Sequence, residues 1–176
     1  LGFVVLGLTA ACAAAQQSAP APRAPLPVRA RPDYMQMADS VMARDPSPLT
    51  LDSAKPAWNY TQGLVLKAVL AVYGQTGDAR QFDYVKAYYD YFVNPDGSIK
   101  TYYINEYSVD RINAGKVLFP LYEKTKEERY RKAIDLLRLQ MKDHPRTREG
   151  GFWHKKRYPY QMWLDGLYMG EPFYAE

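Results

Sequence analysis

One carboxylate stands alone in an aromatic stretch near the end of the sequence. Asp165 is the only charged residue of YPYQMWLDGLYMG, which covers residues 158–170. Removing a lone carboxylate from water is costly, and the usual response is a retained proton or a hydrogen-bonding partner. A protonated acid among aromatic rings suits carbohydrate chemistry, in which it donates to an oxygen or a double bond. Asp165 is therefore a candidate general acid, and the alternative is a cap on a helix beginning GLYMGEPF.

A second aspartate lies in a similar context. Asp110 occurs in NEYSVDRINAGK, just ahead of another apolar segment. It is a candidate partner of Asp165, and the alternatives are a helix N-cap or an ion pair with Arg111.

Four further residues could contribute to the same chemistry. His154 and Lys155 lie in the glycine-started loop GGFWHK, and Lys155 could pair with an anionic substrate. The alternatives are a solvated or hydrogen-bonded histidine and an ordinary surface lysine. Trp58 and Tyr60 begin an apolar segment, where they could pack in the core or offer a platform for a sugar ring.

The elements that must position these residues have helical periodicity. We predict helices over residues 34–45, 58–77, 78–92, 113–125 and 127–143, with Asp78 as an N-cap and NPDG at 94–97 as a turn. The second is apolar almost all round, which predicts enclosure by other helices. Pro120 should perturb the fourth, and Thr125 with Glu128 predicts a capping box before the fifth.

A repeat indicates how the helices are arranged. YGQT at residues 73–76 and YEKT at 122–125 are 49 residues apart, and each joins an apolar helix to an amphipathic one. Such a period is typical of stacked helical hairpins, which form an α/α barrel when the stack closes. The predicted fold class is all-α. Asp110 and Asp165 each precede an inner helix, so we expect both in one pocket at the mouth of the barrel.

Composition excludes several function classes. Two histidines, one cysteine and the lack of HExxH, CxxC, GxSxG and Gly-rich phosphate-loop motifs predict no metal and no organic cofactor. The net charge is +4, but Arg23, Arg29 and Arg31 precede the folded part. Without these three, 20 of the 23 basic residues remain against 19 acidic ones, so we expect no nucleic-acid partner.

The first 32 residues predict export. Residues 1–15 are apolar and end in an Ala-x-Ala pattern, as in a secretory signal peptide whose basic start is missing. Residues 16–32 form a Pro-rich linker, and residues 33–176 form the folded domain. Cleavage after Ala15 would discard Cys12, whereas cleavage before Cys12 would leave a lipid-anchored N-terminus. The predicted location is periplasmic or extracellular, with a membrane contact only if Cys12 carries lipid.

Three strings identify a family resemblance. WNYTQGLVLKAV, DRINAGKVLFPLY and GGFWHKKRYPYQMWLDGLYMGEPF, in this order, resemble the unsaturated rhamnogalacturonyl hydrolases of glycoside hydrolase family 105. The related unsaturated glucuronyl hydrolases of family 88 are the nearest similar group. The resemblance covers residues 34–176 and implies about the N-terminal half of an (α/α)6 barrel. We therefore expect apolar helix faces to be uncovered in this chain, which could be inactive by itself.

The resemblance also implies a reaction and a site. Members of family 105 remove the 4,5-unsaturated uronic acid from the non-reducing end of lyase-generated pectin fragments. They protonate the vinyl ether double bond, and water then adds at C5. The matching motifs imply that Asp165 is the general acid/base and that Asp110 is a second pocket aspartate. The substrate-binding residues implied beside Asp110 are Tyr60, His154 and Lys155.

An acid that protonates a double bond must carry its proton at the working pH. We expect Met162, Trp163 and Tyr168 to favour protonated Asp165 by desolvation, and Asp110 to favour it by like-charge repulsion. Two other functions stay open from the residues alone. One is hydrolysis of unsaturated glucuronides from other glycans, and the other is carbohydrate or protein binding by a non-catalytic helical-hairpin protein.

Overall fold

The computed structural model describes residues 31–176, and this part of the chain is all-α as predicted. The predicted signal peptide, and all but the last two residues of the predicted linker, lie outside the described residues. No helix in the described part is long and apolar enough to cross a membrane. The helices are α1 (Asp33–Arg44), α2 (Tyr60–Thr76), α3 (Ala79–Phe92), α4 (Val109–Asn113), α5 (Leu118–Thr125), α6 (Glu128–Asp143) and α7 (Leu164–Ala175).

Two local predictions are confirmed around α3. The Asp78 carboxylate accepts a hydrogen bond from the backbone N–H of Arg80 at 3.0 Å, so Asp78 caps this helix. After α3, the NPDG turn closes through a bond from the N–H of Gly97 to the carbonyl of Asn94 at 2.9 Å. Gly97 has a φ of +87°, a conformation that glycine adopts without steric cost.

The predicted capping box is wrong. Thr125 is the last residue of α5, and its hydroxyl donates to the Leu121 carbonyl inside that helix at 2.8 Å. The N-cap of α6 is Glu127, two residues later than expected. Lys126 adopts a left-handed conformation that ends α5, and this extra residue shifts Thr125 out of the capping position.

The predicted helix over residues 113–125 is divided ahead of Pro120. The segment contains the end of α4, a tighter 3-10 stretch at Ala114–Val117 and then α5. Proline has no N–H to donate to the carbonyl four residues earlier, and its ring crowds that carbonyl. A short 3-10 turn before Pro120 accommodates both constraints.

The helices pack as hairpins in two rows. α2 pairs with α3, and α5 pairs with α6, as the 49-residue repeat predicts. In one row α2 packs against α4 and the 3-10 stretch, and α4 packs against α7. In the other row Asp90 of α3 accepts a hydrogen bond from Tyr130 of α6 and lies 2.6 Å from Arg129. The arrangement is that of an α/α barrel fragment.

The core between the rows is rich in aromatic side chains whose polar atoms are paired. Trp58, Tyr88, Tyr89 and Phe92 are fully buried and contact one another. The Tyr89 hydroxyl donates to the Ala114 carbonyl at 2.8 Å, and the Trp58 indole N–H donates to the Arg111 carbonyl at 2.8 Å. These bonds join α3 and the segment before α2 to residues 111–114, which follow Asp110 directly.

Within residues 31–176, nothing covers one face of α2. Apolar side chains of α1 and α2, including Met37 and Leu64, line an open groove of about 680 Å³. The prediction that α2 is enclosed on all sides is therefore wrong for the described residues, because neighbours cover only its other face. The expectation of uncovered apolar helix faces is confirmed here.

A close approach of two backbones makes a test of this packing possible. A Cβ atom at Gly63 of α2 would lie 2.5 Å from the Ala114 Cα atom, whereas a Cβ at Gly74 of the same helix would meet nothing within 4 Å. We expect Gly63→Ala to lower the free energy of unfolding by about 1–3 kcal/mol through overpacking. Gly74→Ala should raise it by about 1 kcal/mol through helix propensity. Urea denaturation measures both, and equal effects would contradict the proposed packing.

Candidate functional site

A short backbone pairing brings two distant loops together. Ser108 and Lys155 form an isolated antiparallel bridge, and the N–H of Val109 donates to the His154 carbonyl at 3.1 Å. The N–H of His154 in turn donates to the Gln161 carbonyl at 2.7 Å. The loop before α7 is thereby fixed against the start of α4, where Asp110 lies.

Asp110 accepts from two neighbours in this loop. It is the second residue of α4, and its side chain is only 10% exposed. The Lys155 Nζ atom lies 2.5 Å from one carboxylate oxygen, and the His154 Nε2 atom lies 3.1 Å from the other. The N-cap alternative is wrong, because Ser108 occupies that position. The ion-pair alternative is also wrong, because Arg111 contacts Glu106 instead, at 3.3 Å.

Asp165 is more open than the sequence suggested. It lies in the first turn of α7 after the N-cap residue Trp163, so it does not cap the helix. Its side chain is 54% exposed, and Met162, Trp163 and Tyr168 are themselves substantially exposed. The expected desolvation of Asp165 is therefore not supplied by the described residues. The expected like-charge repulsion between Asp110 and Asp165 is also not direct, because the His154 ring contacts both carboxylates.

His154 joins the two aspartates. Its ring is 1% exposed and stacks on the Trp163 ring at a centroid distance of 4.2 Å, so His154 is not solvated. The hydrogen-bonded alternative describes its contact with Asp110 at 3.1 Å. The Nδ1 atom lies 3.7 Å from an Asp165 carboxylate oxygen. Burial lowers the pKa of His154, and the opposing pull of the Asp110 and Asp165 carboxylates does not outweigh it. The ring is thus held towards its neutral form.

A polar cleft of about 560 Å³ lies beside this cluster. Tyr60, Asp110 and Lys155 line it, while His154 and Asp165 are not among its lining residues. The expectation that both aspartates open onto one pocket is therefore not met by the described residues, since Asp165 is linked to the cleft through His154. Trp58 is buried in the core and offers no platform, which settles its role in favour of packing. The lining residues are Asn59, Tyr60, Asn105, Glu106, Ser108, Asp110, Arg111, Lys155, Lys156 and Arg157.

Sequence reasoning missed residues that support the cluster. Tyr158 stacks on Trp163 at 5.3 Å, which extends the stack of Trp163 on His154. The aromatic density of YPYQMW was a signal for it. Lys116 is buried, and its ammonium donates to the Tyr168 carbonyl at 2.8 Å and lies 3.6 Å from that ring. Burial lowers the pKa of Lys116 to about 8. A single lysine in the apolar string NAGKVLF was its only signal.

The arrangement is equipped for acid–base chemistry. It combines a carboxylate held by two N–H donors, a neutral imidazole and a half-exposed carboxyl group at a helix start. Within residues 31–176, no three His, Cys, Asp or Glu side chains cluster so as to hold a metal ion.

Comparisons with known proteins agree on the family. The sequence model of Glycosyl Hydrolase Family 88 matches residues 34–176. A solved glycoside hydrolase of family 105 from C. acetobutylicum ATCC 824 is 44% identical, with a TM-score of 0.74 over 81% of this chain. The chain spans 38% of the length of that relative. The folded part of the sequence therefore belongs to the glycoside hydrolases of the family 88 and 105 type.

Proposed function

We propose that the protein containing this chain removes a 4,5-unsaturated uronic acid from the non-reducing end of lyase-generated oligosaccharides. The observation that carries this proposal is the contact of one buried histidine with two aspartates beside a polar cleft. Family membership supports the same class of substrate. A non-catalytic binding protein has no need of a buried, charged cluster of this kind, which is costly to fold unless each group is paired.

The cleft suits an anionic sugar. Lys156 and Arg157 line it, and within the described part of the chain neither lies within 4.0 Å of a carboxylate oxygen. The uronic acid carries a carboxylate, which such cations attract and which a guanidinium can bind through two parallel hydrogen bonds. Tyr60 adds an aromatic face at the cleft wall, where a sugar ring could rest.

The proposed reaction is hydration of the vinyl ether rather than displacement at the glycosidic carbon. The Asp165 carboxyl group gives its proton to C4 of the C4–C5 double bond, and positive charge develops at C5 and the ring oxygen. Water adds at C5 and returns a proton to Asp165. The hemiketal that results opens and releases the remaining oligosaccharide, so the acid is regenerated in each cycle.

The finer substrate and location are also proposals. The resemblance of the three sequence strings to family 105 favours rhamnogalacturonan fragments of pectin, whereas the resemblance to the related family 88 keeps unsaturated glucuronides of other glycans as the second candidate. The apolar start of the sequence and the Pro-rich linker favour an exported protein. The partner is the unsaturated oligosaccharide itself.

Replacing the proposed acid tests the chemistry. In the full-length protein that contains this chain, we expect Asp165→Asn to lower kcat by on the order of 10²–10⁴-fold, because an amide has no acidic proton to give. The measurement follows loss of the ultraviolet absorbance of the double bond in an unsaturated rhamnogalacturonan disaccharide. Asp135→Asn is the matched control, since Asp135 is exposed on α6 and pairs with Arg131.

The outcomes separate the candidates. Turnover by the wild-type protein and by Asp135→Asn but not by Asp165→Asn supports both the reaction and the acid. Turnover of unsaturated glucuronides alone would move the substrate to the second candidate. Full activity of Asp165→Asn would contradict the mechanism.

Removing Lys155, the cleft lysine that contacts Asp110, tests the recognition of an anion. We expect Lys155→Gln to lower kcat/KM about tenfold or more, because a charge-assisted contact is lost and Asp110 keeps one donor fewer. The dependence of kcat/KM on sodium chloride should also weaken, because one attractive charge is absent. Lys142→Gln, on the exposed face of α6, is the control, and an equal effect there would show that only overall charge matters.

A further inference from the structure

One nitrogen of the buried histidine lacks a hydrogen bond. Among the residues the structure describes, His154 Nδ1 has no hydrogen-bond partner, although the ring is almost fully buried. Buried polar atoms are nearly always satisfied, so an orphaned ring nitrogen calls for a partner. The carboxylate oxygen of Asp165 is 3.7 Å away, on the side of the ring opposite Asp110.

The other nitrogen decides what Nδ1 can do. His154 Nε2 lies 3.1 Å from one oxygen of Asp110, and the Lys155 ammonium lies 2.5 Å from the second oxygen. A carboxylate between two such donors accepts from both, so the hydrogen of the ring belongs on Nε2. A neutral imidazole has only one N–H, and Nδ1 therefore presents a lone pair.

The charge state of the ring follows from its surroundings. The charged groups that face the imidazole are Asp110 from α4, Asp165 from α7 and Lys155 from the intervening loop. Burial lowers the pKa of His154 despite the two carboxylates. The ring therefore stays neutral at pH values somewhat below 6.5, the ordinary pKa of histidine.

A lone pair at Nδ1 discriminates between the two forms of Asp165. Only a protonated carboxyl group can donate to it, whereas an ionised carboxylate would face it with like partial charge. The present 3.7 Å is longer than a hydrogen bond. Asp165 is half-exposed, and contacts of this kind often tighten only when substrate binds.

We infer that His154, as the neutral Nε2–H tautomer set by Asp110, is a positioning residue that holds the acidic proton on Asp165 and aims it for transfer. This inference rests on the proposed function for its purpose, but the tautomer itself is measurable without any substrate. It also supplies what the open surroundings of Asp165 do not, which is a reason for the acid to keep its proton.

The first arm of the test observes the tautomer. Nitrogen-15 NMR of the histidine-labelled full-length protein, without substrate, should show His154 with a protonated Nε2 and an unprotonated Nδ1 at pH 6 to 7. The signal is identified by its absence in His154→Gln or, if that variant does not fold, by its contact with the Trp163 ring. An Nδ1–H tautomer or an imidazolium at this pH would overturn the inference.

The second arm measures the pH profile of kcat. Glutamine has no obligatory lone pair facing Asp165, so we expect His154→Gln to move the alkaline limb of kcat to lower pH by about one unit, the equivalent of one ordinary hydrogen bond. Asp135→Asn is again the control, because Asp135 is exposed on α6 and pairs with Arg131, outside the site. The alkaline limb of its kcat profile should not move.

The arms also separate the two proposals. A kcat for His154→Gln that falls equally at every pH, with an unmoved limb, would reduce His154 to a structural role and overturn the inference. Wild-type protein without activity on any unsaturated uronide would refute the proposed function, and the NMR arm would still decide the tautomer.

Discussion

The pairing of Ser108 with Lys155 is the constraint on which the candidate site depends. It consists of a single bridge, yet it fixes the loop before α7 against the first turn of α4. Its neighbours keep it in place, since the N–H of Trp153 donates to the Pro145 carbonyl at 2.9 Å, and buried His144 bonds to the Trp153 carbonyl at 2.8 Å. Without this pairing, Asp110 would be a buried carboxylate with neither of its two donors.

A second set of contacts holds the cleft wall. The Asn113 side chain donates to the Tyr60 carbonyl at 2.9 Å, and Trp58 and Arg111 exchange bonds through their side chains and carbonyls. The close approach at Gly63 lets the start of α2 lie against the chain after α4. Tyr60 and Asp110 therefore share one cleft because the inner helices pack closely, whereas neither helix alone would place them there.

Burial falls in steps across the cluster, and this gradient matches the roles that we propose. His154 is 1% exposed, Asp110 is 10% exposed and Asp165 is 54% exposed. A buried ring stacked on Trp163 has little freedom, so it can fix a direction for its partners. The open carboxyl group keeps the access that a substrate needs. The described residues hold the neighbours of the acid in a fixed arrangement, but they do not enclose the acid itself.

The family, the all-α class and most helices could be predicted from the sequence, because periodicity, the Asp78 cap and three specific strings are local signals. It also supplied the right side chains: Asp110, His154 and Lys155 do meet. Packing between distant segments sets three other features: His154 joins both aspartates, Asp165 is half-exposed, and α2 has an uncovered face among the described residues. A local apolar pattern specifies a buried face without its partner, so burial and pairing cannot be read from one segment alone.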